Sequence, residues 1–471
     1  MLLLLPTGCA VNPVTGNRDF VLMTEQQEIA LGRKMHAQIL KEMPRYADVR
    51  LAQRVQRVGE RLARNSHRSN LVYRFTVVDS TQVNAFALPG GYIYITRGIL
   101  AYLNSEAELA AVLAHEIGHV TARHAVQRQS AATAAGIIGA IINAKVGVRG
   151  INQLTQLLGG ALLSGYGRSQ ELESDRLGAA YLARSGYDPQ AMLGVIRLLK
   201  NQALYAKKVS GTDKGSYHGL FATHPDNDTR LQAVIAAANS LRTDRQGQVG
   251  RDSYLQWIDG LMFGDSEAQG IRRGNRFYHQ GLDLVLTFPQ GWRLINKPQH
   301  VLARSVDGKG VVQFSMQDIN RRISPRQFMQ DRLGLKPLFN GRVYRIRGRS
   351  AYTAMAWSNS PFGRRLVRFV VVFRKDQAMI FSAVNSDSNN ARRYDKALFA
   401  LAESLRGLKQ SERKLAKAQR IGLIRATRNT RFRQLARQSS LSDRAEDQLR
   451  LINGRYPKGE PRVGEWLKII R

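Results

Sequence analysis

Ala114-His115-Glu116-Ile117-Gly118-His119 is the stretch from which the rest of the chain is read. On an α-helix, residues four apart share a face, so His115 and His119 can each turn an imidazole nitrogen toward one metal ion while Glu116 stands beside it. Two neutral nitrogen donors and a flanking carboxylate are the parts needed to hold a hydrated cation and take a proton from its water. The flanks argue for a helix. Residues 106–114 are rich in strong helix formers, and Ser105 followed by Glu108 predicts a capping box. So short a motif also arises by chance on ordinary helices, and its meaning rests on what else the chain supplies.

A catalytic zinc usually takes three protein ligands and keeps a position open. No Asp or Glu occurs between Glu116 and Glu171, where the cluster Glu171-Leu172-Glu173-Ser174-Asp175 leads into a helical run, Arg176 to Leu182. Glu171 and Asp175 are again four apart. One can bind the metal while the other holds a ligand histidine through its second ring nitrogen.

His115-Glu116-x-x-His119, Glu171-x-x-x-Asp175, Thr223-His224-Pro225 and Arg230 in this order resemble the HtpX-like and CAAX-prenyl-protease (Ste-type) group of zinc metallopeptidases, and its secreted bacterial lipoprotein branch in particular. The likeness runs over residues 12 to 240. It implies one Zn2+ per chain, held by His115, His119 and Glu171, with Asp175 supporting a ligand and Glu116 as general base and then acid. It also implies that His224 and Arg230 stand beside the metal to steady an oxyanion, or that His224 occupies the open metal position and silences the enzyme. Ser174 stands where the group usually has Ala. An edge strand carrying Asn84, Ala85 and Phe86 is implied to bind extended substrate by main-chain pairing. The expected substrates are misfolded or misassembled outer-membrane and periplasmic proteins. Two rival readings are a latched, chaperone-like assembly factor with little proteolysis, and a wall-binding scaffold that has lost catalysis.

The amino-terminal Leu run ending in Gly8-Cys9, the sole cysteine, resembles the end of a bacterial lipoprotein signal. Cys9 is then the lipidated residue and 1–11 the signal remnant and anchor, with no basic region ahead of it. Ala10 offers no inner-membrane retention Asp, so the expected place is the outer membrane of a Gram-negative envelope, facing the periplasm. A peptidase domain is expected over 12–245. Its helices should run from Thr24 to Leu40 and from Val49 to Arg64, the second with Val55, Val58 and Leu62 on one face. Its strands should be Tyr73 to Val78 and a hairpin through Pro89-Gly90-Gly91. Residues 131–144 are too short to span a bilayer, for which about 20 apolar residues are needed; the stretch 130–166 around them reads as a buried helical pair, or as a lid or membrane-touching hairpin over the cleft. His124 reads as a polar surface or core histidine.

Alternating strands between Leu282 and Val384, closed by a helix over Ala391 to Ser404, predict an α/β accessory domain over 270–407 of Mog- or PsbP-like type. Residues 409–471 hold 17 Lys and Arg against 6 Asp and Glu and read as strand-helix-helix-strand, resembling a LysM wall-binding module, with peptidoglycan as partner. The whole chain carries 71 Lys plus Arg and 36 Asp plus Glu, a net of +35, which favours anionic partners and says nothing of fold. Nucleic acid is not expected, since the tail lacks aromatic stacking platforms. The fold class expected is α+β and multidomain: a mainly α-helical zincin (gluzincin) domain with a small sheet, an α/β sandwich, and a LysM-like tail.

Overall fold

Thr24 starts the first long helix by a reciprocal cap. Its hydroxyl accepts from Gln27 N at 3.2 Å and its own N–H donates to Gln27 Oε1 at 2.9 Å, opening α1 (Glu25–Glu42). Asp48 caps α2 (Val49–Ala63), which buries Leu51, Val55, Val58 and Leu62, the face its periodicity foretells. These elements belong to a computed structural model. It describes residues 9–11, 13, 14, 16, 18–133, 165–210, 230, 234, 236, 240 and 247–471, other than 320, 321, 388, 389, 391, 442 and 443. The chain falls into two units, Met1–Phe263 with Gln419–Arg471, and Gly264–Ala418.

In the first unit, β1 (Cys9–Val11) pairs antiparallel with β2 (Arg18–Phe20). A separate three-stranded sheet, ordered β3-β5-β4, follows α2. β3 (Arg74–Val78) runs parallel to β5 (Tyr92–Thr96), and β4 (Ala85–Leu88) pairs antiparallel with β5 and forms an edge. Thr96 accepts from Ile99 N to start α3 (Arg97–Tyr102), and Ser105 accepts from Glu108 N at 3.1 Å to start α4 (Glu106–Thr121). The reciprocal half of the expected box goes elsewhere, because the Glu108 carboxylate takes Asn104 N at 2.6 Å. Every residue of α4 from Leu109 to Thr121 is buried, as a helix apolar on nearly all sides must be.

α5 (Arg168–Arg184) crosses α4 closely, and small residues permit it. A Cβ on Gly118 would lie 3.0 Å from Ser174 Cα and O, and one on Gly178 would lie 3.2 Å from His115 N. α6 (Ala191–Ser210) and α7 (Arg251–Trp257) complete this layer, and β6 (Met262–Phe263) ends it. The expected segment 131–144 lies outside the described residues after 133. Among the described residues, no helix is long and apolar enough to cross a membrane.

The second unit holds the three-stranded sheet β7 (Ile271–Arg273), β8 (Arg276–His279) and β9 (Leu284–Thr287). Beside it is a seven-stranded antiparallel sheet of β10 (Arg293–Lys297), β11 (His300–Arg304), β12 (Gly310–Asp318), β13 (Phe339–Ile346), β14 (Arg349–Ser360), β15 (Gly363–Arg374) and β16 (Gln377–Asn385), in the order β10-β11-β12-β16-β15-β14-β13. α8 (Asp395–Glu403) supplies Leu398 and Leu401 to the core that holds Val370 and Val372, while Val371 joins Phe328 and Met329 on the other face. Burial on both faces explains why 369–373 reads as an unbroken apolar run. The sequence reading has a turn at Phe288 to Trp292 leading into a strand, where β10 lies, and passes over β11, whose short apolar stretch is bracketed by His300 and Arg304.

The last elements return to the first unit. β17 (Gln419–Arg425), α9 (Phe432–Gln438), α10 (Ala445–Ile452) and β18 (Trp466–Ile470) follow in the expected order, with β18 antiparallel to β17. They do not stand apart over 409–471 as the composition suggests. β17 pairs with β6, and Phe432, Leu449, Ile452, Leu467 and Ile470 enter the same core as α4. Lys468, fully buried, donates from Nζ to Ala101 O at 2.8 Å and Leu103 O at 2.7 Å, at the turn between α3 and α4. Burial pushes its pKa well below the usual lysine range, with Glu108 opposing.

Candidate metal centre

The two α4 imidazoles and one α5 carboxylate converge. His115 Nε2 lies 3.0 Å from His119 Nε2, and Glu171 Oε2 and Oε1 stand 3.5 and 3.4 Å from those two nitrogens. Among the described residues this is the one group of His, Cys, Asp or Glu whose donor atoms gather closely enough for a metal, all within 4.8 Å of one another. Two imidazole nitrogens and a carboxylate oxygen converging from two crossed helices are a donor set that fits one zinc with a position left open. Glu116, next to the first ligand, is fully buried.

A buried relay stands behind His115. Its Nδ1 is 2.8 Å from Asp175 Oδ1, and Asp175 takes Arg230 Nε and Nη2 at 2.7 Å each. Arg230 Nη1 also meets Glu171 Oε2 at 3.0 Å. Burial alone would strip the charge from His115, but Asp175 and Glu171 outweigh it and raise the imidazole to about 9. For Asp175, burial is overcome by Arg230, which holds the carboxyl below its ordinary range. For His119 burial outweighs the opposing pull of Glu171 and carries the imidazole well below its ordinary value.

Residues 50–238 match the model of Peptidase family M48. The chain is similar to the β-barrel assembly-enhancing protease of Yersinia pestis, 32% identical over 239 residues, 49% of this chain and 48% of that one. The protein of the same name from Escherichia coli (strain K12) is 31% identical over 238 residues, 49% and 47% of the two chains. The mitochondrial metalloendopeptidase OMA1 of Arabidopsis thaliana is 32% identical over 193 residues, 40% and 37%. The chain thus spans about half the length, or less, of these curated relatives. Among solved structures, cyanobacterial PsbP from Synechocystis matches with a TM-score of 0.22 and 12% identity, covering 30% of this chain and 94% of that one, a likeness too slight to bear on the fold.

The fold brings His115, Glu116, His119, Glu171, Asp175 and Arg230 together. Arg230, expected beside the oxyanion, directs its guanidinium at Asp175 and Glu171 instead and is 3% exposed. His224 lies outside the described residues, and of Cys9 the described part is its backbone in β1. The β4 edge lies beside the metal centre, since Ala87, Leu88, His119 and Tyr166 line one small cavity. Phe86 turns away from it and stacks on Tyr94, ring centroids 4.8 Å apart, in a cluster with Ile39 and Leu88. Asn84 exchanges bonds with Thr96.

Two residues at the centre escape a reading by motif. Tyr166 stacks on His119 with centroids 3.7 Å apart and 15° between planes, and Arg128 covers the same ring at 3.9 Å. His124 touches His119 directly. Neither carries a spacing signal, because Tyr166 follows a long insertion and His124 stands five residues past His119, off its helical face.

Proposed function

We propose that this chain is a zinc-dependent endopeptidase of the bacterial cell envelope that hydrolyses peptide bonds of misfolded or misassembled outer-membrane and periplasmic proteins. The observation that carries it is the convergence of His115, His119 and Glu171 with Glu116 at the neighbouring position on α4. The compartment and substrate class rest on the relatives named as β-barrel assembly-enhancing proteases and on the lipoprotein-like Leu2 to Cys9 run. In this reading Cys9 is the lipid anchor, in the outer membrane.

When bound, the ion supplies Lewis acidity to a water and to the scissile carbonyl. The chain's own residues do the rest. Glu116 takes the proton of the attacking water and hands it to the leaving amine nitrogen, general base and then general acid. Asp175, itself pinned by Arg230, fixes the His115 ring so that Nε2 faces the centre. The β4 edge offers main-chain groups to an extended peptide beside the metal, a register set by backbone because Phe86 points into the core. In this reading His224 is the cationic donor toward the oxyanion.

The test compares the wild type with Glu116→Gln for zinc content and cleavage of casein. Zinc in both, with cleavage in the wild type alone, is expected. Wild-type protein without zinc, or equal cleavage by Glu116→Gln, overturns the proposal.

A further inference from the structure

His124 is wholly buried, and the catalytic reading leaves it without a task. Its Nδ1 lies 2.8 Å from His119 Nδ1, and its Nε2 lies 3.1 Å from Glu173 Oε2. The hydrogens in this chain follow by elimination. His119 Nε2 faces the metal centre, 3.0 Å from His115 Nε2 and 3.4 Å from Glu171 Oε1, so its ring hydrogen must sit on Nδ1. That N–H donates to His124 Nδ1. The hydrogen of His124 then sits on Nε2 and donates to Glu173. Ser174 Oγ, 3.4 Å from His124 Nδ1, lies beside the same acceptor.

The backbone is bent to make this contact. On a continuous helix, residue 124 would stand about 140° around the axis from residue 119, and the rings would not meet. α4 stops at Thr121, and Arg123 adopts φ 56°, a left-handed conformation that non-glycine residues take at a cost. Arg123 is held there by Nε to Glu28 Oε2 at 3.0 Å and Nη2 to Met23 O at 3.0 Å. Glu28 is in turn fixed by Arg68 Nη1 at 2.9 Å and Gly90 N at 3.1 Å. The chain resumes as helix at 124 with the imidazole returned to the metal side of α4.

We propose that His124 and Glu173 are positioning residues for His119, a second relay that answers the one formed by Asp175 and Arg230 behind His115. Each ligand imidazole is then held in its metal-binding tautomer by its own chain of hydrogen bonds, the second ending at the partly exposed Glu173. The inference rests on the reading of His115, His119 and Glu171 as metal ligands. It adds residues that the ligand motif does not contain.

The experiment strips the full-length protein of metal, titrates Zn2+ against a chromogenic chelator, and records the absorption spectrum of the Co2+ form. His124→Leu is expected to lose about 10–100-fold in zinc affinity and to alter the Co2+ spectrum. His124→Asn, whose Oδ1 replaces Nδ1 as acceptor, recovers most of the affinity. Glu173→Ala loses about tenfold. Wild-type affinity in His124→Leu, or equal losses in the Leu and Asn variants accompanied by equal drops in the Tm of the metal-free proteins, overturns the proposal. Should His124→Leu fail to fold, Glu173→Ala with wild-type affinity does so. A wild type that takes up no zinc sinks the metallopeptidase reading and this one together, whereas zinc binding indifferent to His124 and Glu173 sinks this one alone.

Discussion

Arg230 separates two tasks that look alike in a motif. A guanidinium near a zinc site can face the substrate or can face the ligands, and here its nitrogens reach Asp175 and Glu171. Both carboxylates are fully buried, so removing their counter-charge strands them. Arg230→Met is expected to lower the stability of the metal-free protein by about 3–5 kcal/mol, the usual consequence of breaking a buried ion pair from one side. Urea unfolding with and without zinc checks it: the deficit should shrink when zinc is added, because the ion replaces part of the missing positive charge beside Glu171. A deficit that is the same in both states would return Arg230 to a substrate-facing role. The pair at His115 offers a second check. Asp175→Ala is expected to weaken zinc binding about 10–100-fold with Glu116 still in place, measured by chelator competition.

The helix pair α4 and α5 is where motif becomes site. His115, His119, Glu171 and Asp175 were visible in the chain because four-residue spacing on a helix is a local property, and helix formers with a capping serine announce the helix. The distance between the two helices is not local. It depends on Gly118 against Ser174, where an added Cβ would sit at 3.0 Å. Gly118→Val is therefore expected to push α5 outward, costing about 1–3 kcal/mol as overpacking and carrying Glu171 away from the two imidazoles. The readout is zinc affinity alongside thermal unfolding; unchanged affinity would show that the helices tolerate the separation. The kink after Thr121 belongs here too. Its cause lies in Glu28 on α1, far off in sequence, which is why His124 read as an ordinary polar surface or core histidine.

Across the whole molecule, the carboxy-terminal stretch had the composition of an appendage and the packing of a core component. Its order of strand, helix, helix and strand was legible, but its basic surface hid the inward residues Phe432, Leu449, Leu467 and Ile470. Lys468 closes the unit by capping two carbonyls ahead of α4. A chain ending at Ala418 is accordingly expected to lose the folded peptidase unit, with rapid tryptic cleavage between residues 25 and 130 and no zinc uptake; a truncated protein that still binds zinc at wild-type affinity would show the tail to be dispensable. The amino-acid order alone pointed to the set of donors that could hold a metal, the helices that carry it and the alternation of the second unit's strands, because periodicity, capping and donor spacing act between near neighbours. Tertiary structure alone decided that His124 and Tyr166 reach His119, that Arg230 serves the ligands, and that the last fifty or so residues belong to the peptidase unit. Those outcomes depend on contacts between segments distant in sequence, whose partners are chosen by burial and hydrogen-bond satisfaction in the folded chain.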